Sequence, residues 1–142
     1  MRRAVVDASV SLAWVLPDER PGVDATHLLL ALQGGQVELL VPSLWEYEVT
    51  NALRVGVRRG RLTEEEGARG AGMLLDLGLT LSHLGETLSR AWELARQHGL
   101  SIYDASYLAL AEFHACPLVT ADSRLLAASK ACGLPDGMEG AR

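Results

Sequence analysis

Four carboxylates stand where a chain of this pattern could gather chemistry: Asp7, Glu48, Asp104 and Asp122. Asp7 closes an apolar, β-branched run, Asp104 opens a strongly apolar helical stretch, and Asp122 follows another apolar run by two residues. Each aspartate therefore marks a junction between elements. Aspartate is a favoured helix cap, so one such residue says little. Three at comparable junctions say more, because an open parallel sheet binds ligands in the crevice beyond the carboxyl ends of its strands.

Glu48 is informative for a different reason. At about 100° per residue, a helix over 43–59 collects Glu46, Thr50, Arg54 and Arg58 on one polar face and sets Glu48 roughly 160° from Glu46. There it lies among Leu44, Trp45, Ala52 and Val55, which predicts that it points inward. Charged groups are almost never buried without a pair or a metal, and a buried ion pair with an arginine is the plainer alternative. Asp104 also faces inward, along Tyr107, Leu108 and Ala111. If the four acids meet, each charge raises the others' pKa until some protonate, unless cations neutralise them. An all-oxygen pocket of that charge selects Mg²⁺ or Mn²⁺ over zinc. Such an ion lowers the pKa of a bound water and stabilises charge on a phosphate, which is the chemistry of phosphodiester hydrolysis. His27, His83, His98 and His114 show no paired ligand spacing and read as surface or helix-end residues.

The elements that must position these acids alternate between short β-branched runs and amphipathic stretches. Strands are predicted at 4–7, 39–41, 79–82 and 118–120. Helices are predicted at 9–16, stopped by Pro17, at 22–33, at 43–59 with Ser43 as N-cap, at 86–98 closed by Gly99, at 103–114 and at 123–131. Thr63, with Glu66 three residues on, forms a capping box for one more helix, which pairs with 43–59 as a hairpin. From Gly133 onward the tail holds a last edge strand or nothing. This alternation predicts an α/β fold, a three-layer α/β/α sandwich around a central parallel sheet.

Length and charge bound the reading further. The 142 residues, 49% of them hydrophobic, suit a single domain spanning 1–142. The net charge of -5 excludes nucleic-acid binding by bulk charge, so any such contact must be a local patch. Arg54, Arg58, Arg59 and Arg61 form the one dense basic cluster. They are candidates for holding nucleic-acid phosphates, against the plainer reading of a solvated face paired with Glu64, Glu65 and Glu66 or with a partner protein. Cys116 and Cys132 lack metal or disulfide spacing and fit free thiols in a reducing cytoplasm. Arg2 and Arg3 before an apolar stretch mimic a signal peptide only faintly, since Asp7 interrupts it, and no apolar run is long enough for a membrane span. Trp14, Trp45 and Trp92 sit at apolar helix positions and read as core or dimer-interface residues.

Four segments then carry a resemblance. Val5-Val6-Asp7-Ala8-Ser9, Pro42-Ser43-Leu44 leading to Glu48-Val49-Thr50-Asn51-Ala52-Leu53, Tyr103-Asp104-Ala105-Ser106-Tyr107-Leu108-Ala109-Leu110-Ala111, and Leu118-Val119-Thr120-Ala121-Asp122 resemble the sequence blocks of PIN domains, above all the VapC-type toxin ribonucleases. The resemblance implies Mg²⁺- or Mn²⁺-dependent endoribonuclease activity, homodimerisation and inhibition by a small antitoxin protein. It maps the acidic site onto Asp7, Glu48, Asp104 and Asp122. It also sets Ser9 and Thr120 where the family places hydroxyls that position a water or an acidic side chain, although turn or capping duty would explain both equally.

Other classes fit less well. A phosphoryl-accepting aspartate would have a second carboxylate two residues later, where Ser9 stands, and no GxxxxGK loop occurs. A rival from another class is a non-catalytic module that binds RNA or a protein through the same fold.

Overall fold

The computed structural model describes residues 1–16, 25–83 and 85–137. Its sheet has four parallel strands, β1 (Arg2–Val6), β2 (Val37–Pro42), β3 (Thr80–Ser82) and β4 (Leu118–Val119), in the order β3-β2-β1-β4. Helices α1 (Ala8–Leu12), α2 (Ala25–Gln33), α3 (Leu44–Arg58), α4 (Glu64–Leu75), α5 (Glu86–His98), α6 (Ile102–His114) and α7 (Ser123–Ala131) flank it. The expected three-layer α/β/α arrangement is thus the observed one. Ala4, Val5 and Val6 in β1 are wholly buried, as both faces of a covered parallel sheet require.

Chain order creates the functional feature of this topology. The chain builds outward from β1 through β2 to β3, then returns to place β4 on the other side of β1. The strand order therefore reverses between β1 and β4, and in open α/β sheets that reversal opens a crevice at the carboxyl ends. Val5 pairs with Leu118 and Val6 with Val119, so Asp7 and Thr120 leave the sheet side by side.

Most element boundaries move by one to three residues, with local causes. Asp7 lies outside β1 because it caps α1, its side chain accepting from the Val10 amide. α1 ends at Leu12, well before the expected stop, and Trp14 Nε1 donates to the Ala25 carbonyl at 2.7 Å. The expected stop at Pro17 and start at 22 lie outside the described residues. Ser43 stands at the N-cap of α3 as expected, but it has helical dihedrals and makes no side-chain capping bond. The capping box is as expected: Thr63 Oγ1 accepts from the Glu66 amide at 3.1 Å, and Glu66 Oε1 accepts from the Thr63 amide at 2.9 Å. α5 and α7 match their predicted bounds, and α5 closes on Gly99 in the left-handed region with φ 64°. Residues 134–137 form no element.

α3 and α4 pack as the expected hairpin. Gly67 allows it, since a Cβ there would sit 2.5 Å from Val57 Cγ2, whereas one at Gly70 would meet Leu53 Cδ1 at an ordinary 3.5 Å. Trp45 is buried and Trp14 half-buried, whereas Trp92 is 69% exposed and belongs to no core. Both cysteines are free. Among the described residues no helix is long and apolar enough to cross a membrane.

Candidate active site

The crevice between β1 and β4 is built on Asp7. This carboxylate is 6% exposed and bonded at both oxygens: Oδ1 accepts from Ser9 Oγ at 2.5 Å and the Val10 amide at 3.3 Å, and Oδ2 accepts from Thr120 Oγ1 at 2.5 Å. Each hydroxyl accepts in turn, Ser9 Oγ from the Ala121 amide at 3.2 Å and Thr120 Oγ1 from the Asp122 amide at 3.0 Å. Ser9 and Thr120 therefore join the β1 junction to the β4 junction and hold the Asp7 carboxylate in one orientation. Burial pushes the Asp7 carboxyl above its usual value, while the donors from Ser9, Thr120 and Val10 pull the other way.

Glu48 reaches the crevice from α3. Trp45, one turn earlier, seats that helix: its indole is 1% exposed and Nε1 donates to Ser11 Oγ of α1 at 2.9 Å. Glu48 is half-buried and accepts from the Tyr107 hydroxyl of α6 at 2.5 Å. A phenol, then, and no arginine, compensates it. Burial raises its pKa, the Tyr107 bond opposes that, and the charges of Asp104 and Asp7 raise it further.

Asp104 is half-buried in the first turn of α6, where its amide donates to Ser101 Oγ of the N-cap at 3.0 Å. Burial raises its carboxyl, and the charge of Asp122 adds to that rise. Asp122 is exposed and caps α7, Oδ1 accepting from the Arg124 amide at 2.8 Å and the Leu125 amide at 3.1 Å. Its plain reading as a helix cap therefore holds, alongside its place at the crevice.

The four acids form an electrostatic chain: Glu48 feels Asp7 and Asp104, and Asp104 feels Asp122. Among the described residues no three His, Cys, Asp or Glu side chains stand as a group that could hold a metal ion. The convergence is thus looser than a chelating bowl. The donor set still suits a hard divalent cation. It is all oxygen, none of the four acids is ion-paired with a described base, and three of them are held above their usual pKa. Mg²⁺ commonly keeps several waters and takes only one or two carboxylates directly, so a protein triad is not required.

The basic cluster lies elsewhere. Arg58 is ten residues beyond Glu48 on α3, about 15 Å along the axis. Arg54 is already paired with Glu64 at 2.9 Å, the plainer of the two expectations for it. Arg58, Arg59 and Arg61 are exposed. Tyr107 and Arg124 were not singled out from sequence. Tyr107 carried a faint signal, lying three residues after Asp104 on the same helix face, whereas Arg124 carried none beyond following Asp122 by two.

A parallel α/β/α protein with acids gathered at the switch point of its sheet belongs to the class of folds that act on ligands at the carboxyl edge. Comparison with known proteins narrows the class: the PIN domain family matches over residues 4–131, and the chain belongs to that family. VapC ribonuclease Mb0985 of Mycobacterium bovis is 40% identical over 121 residues, covering 85% of this chain and 87% of that one. Ribonuclease VapC3 of Pyrobaculum aerophilum is 38% identical over 128 residues, covering 87% and 92%. The crystal structure of PAE2754 from Pyrobaculum aerophilum superposes with a TM-score of 0.72 at 28% identity, covering 95% of this chain and 89% of that one. Mycobacterium tuberculosis VapC20, at 16% identity and a TM-score of 0.66, shares the fold over 96% of this chain.

Proposed function

We infer that this chain is an endoribonuclease, the toxin of a toxin–antitoxin pair, and that it hydrolyses RNA phosphodiester bonds with a divalent cation, Mg²⁺ or Mn²⁺. The observation that carries the reading is the Asp7 carboxylate, buried at the strand reversal and fixed by Ser9 and Thr120, in a chain of the PIN domain family. Relatives named as VapC ribonucleases support it over most of the chain.

In this reading Asp7, Glu48, Asp104 and Asp122 hold the cation, directly or through water. The ion, when bound, supplies positive charge that offsets the acids and stabilises charge developing on the phosphate. Ser9 and Thr120 keep the Asp7 oxygens facing the crevice. Tyr107 does the same for Glu48, whose Oε2 accepts from no described group and is left for the cation. Asp104 and Asp122, whose charges couple, supply the far wall. Arg54, Arg58, Arg59 and Arg61 would meet RNA only beyond the site, along α3. The chain works as one domain in the cytoplasm, as a homodimer held in check by a small antitoxin protein. The exposed Leu88 and Trp92, one turn apart on α5, support a self-association face.

Single-turnover cleavage of a single-stranded RNA with added Mn²⁺, against the same reaction in chelator, tests the reading. Cleavage that requires the ion is expected. RNA binding without cleavage under every divalent condition would leave the non-catalytic module instead.

A further inference from the structure

The crevice is ringed by acids, yet its substrate is a polyanion, so some cation of the chain should meet the phosphate near the reacting position. Arg124 meets the geometric conditions. The Asp122 cap puts it in the first turn of α7, and its Nη2 donates to the Gly99 carbonyl. Gly99 closes α5 two residues before Ser101, the cap of the helix that carries Asp104. A Cβ at Gly99 would lie 3.5 Å from Arg124 Nη2, so the guanidinium rests closely against this turn. The guanidinium is thereby held on the α5–α6 turn, near enough to Asp104 for its charge to act there.

Arg124 is anchored without being neutralised. It pairs with no described carboxylate, whereas Arg3, Arg54 and Arg90 are each in ion pairs. A guanidinium carries five N–H donors in a planar fork, and here one bond goes to a neutral carbonyl. The remaining donors suit two oxygens of a phosphate, the geometry at which arginine exceeds lysine. Its charge also reaches Asp104, lowering a carboxyl that burial raises, so it is electrostatically part of the site.

We propose that Arg124 binds the non-bridging oxygens of the RNA phosphate at the Asp104–Asp122 side of the crevice and positions it for cleavage, a role the denser Arg58–Arg59 pair is too distant to fill. The proposal rests on the ribonuclease reading above.

The test is single-turnover cleavage of one single-stranded RNA with Mn²⁺, over a series of salt concentrations, by wild type, Arg124→Ala, Arg124→Lys and Arg96→Ala as a surface control. Arg124→Ala should lower the rate about 100-fold or more. It should also make the fall of log(kcat/KM) with log salt shallower by ~0.7, the value of one phosphate contact on a single strand. Arg124→Lys should restore the slope and only part of the rate, and Arg96→Ala should match wild type. A lowered melting temperature with an unchanged salt slope would make Arg124 a clasp on the α5–α6 turn and overturn the proposal. Full activity in Arg124→Ala would overturn it as well, while a wild type inert on RNA would sink the ribonuclease reading and this proposal together.

Discussion

The Tyr107 hydroxyl donates to Glu48 Oε1 at 2.5 Å, and this one bond ties α6 to α3 across the crevice. The tyrosine is 1% exposed. Burial and the bond to Glu48 hold its hydroxyl far above the usual phenol range, so it stays protonated and remains a donor. Two helices that each bring an acid to the site are thus fixed to one another through a side chain that carries no charge.

Replacing Tyr107 by Phe keeps the ring in its packing and removes only the donor. A hydrogen bond to a charged group contributes about 1.5–3 kcal/mol, so the midpoint of thermal unfolding should fall. Partners that orient metal-holding groups typically change affinity by about 10–100-fold, so the Mn²⁺ concentration that half-saturates cleavage should rise by that order. Thermal unfolding without Mn²⁺ reads the first effect, and an Mn²⁺ titration of cleavage reads the second. An unchanged Mn²⁺ midpoint would detach Tyr107 from cation binding and leave it a packing residue.

Much of this arrangement was legible in the sequence because it follows from period and punctuation. The apolar arc around Glu48 and the capping box of Thr63 and Glu66 are local, and the structure holds both as expected. The bond between Tyr107 and Glu48 spans 59 residues and depends on how α6 crosses α3, which no local pattern encodes. The place of Arg124 is hidden in the sequence for a related reason: it stands outside the dense run from Arg54 to Arg61, and its position is set by Asp122 capping α7. Ser43 holds the expected N-cap position without a capping bond because it already adopts helical dihedrals.

Asp104→Asn removes one charge from the acid chain and should abolish cleavage while leaving the metal-free protein as stable or more so. The sign follows from linkage. Burial and the charge of Asp122 raise the folded pKa of Asp104, so between its unfolded and folded values the native state binds more protons. Stability therefore falls as pH rises through that window, and the cost persists above it. Glu112, held below its usual range by hydrogen bonds from Arg90, works in the opposite sense, so the informative quantity is the difference between wild type and variant. That difference in melting temperature should grow from acid to neutral pH without divalent ions and shrink when Mn²⁺ is added. A difference independent of pH would mean that Asp104 is not the strained group.

Two glycines of α4 should respond in opposite directions to the same substitution, and neither response should touch the chemistry. A Cβ at Gly67 would fall 2.5 Å from Val57 Cγ2, and valine cannot swing aside freely because its χ1 is restricted. Gly67→Ala should push α4 off α3 and cost about 1–3 kcal/mol, the usual range for overpacking. Gly72 sits on the same helix with nothing within 4 Å of its Cβ position, so Gly72→Ala should gain roughly 0.5–1 kcal/mol by reducing the freedom of the unfolded chain. Denaturant unfolding of the two variants checks the signs. Below its lowered melting temperature, Gly67→Ala should still cleave RNA, since the bonds that seat Asp7 and the Glu48 helix run to Thr120, Tyr107 and Ser11. Loss of cleavage in folded Gly67→Ala protein would show that the α3–α4 hairpin does position Glu48, and that the seat provided by Trp45 on Ser11 is not sufficient.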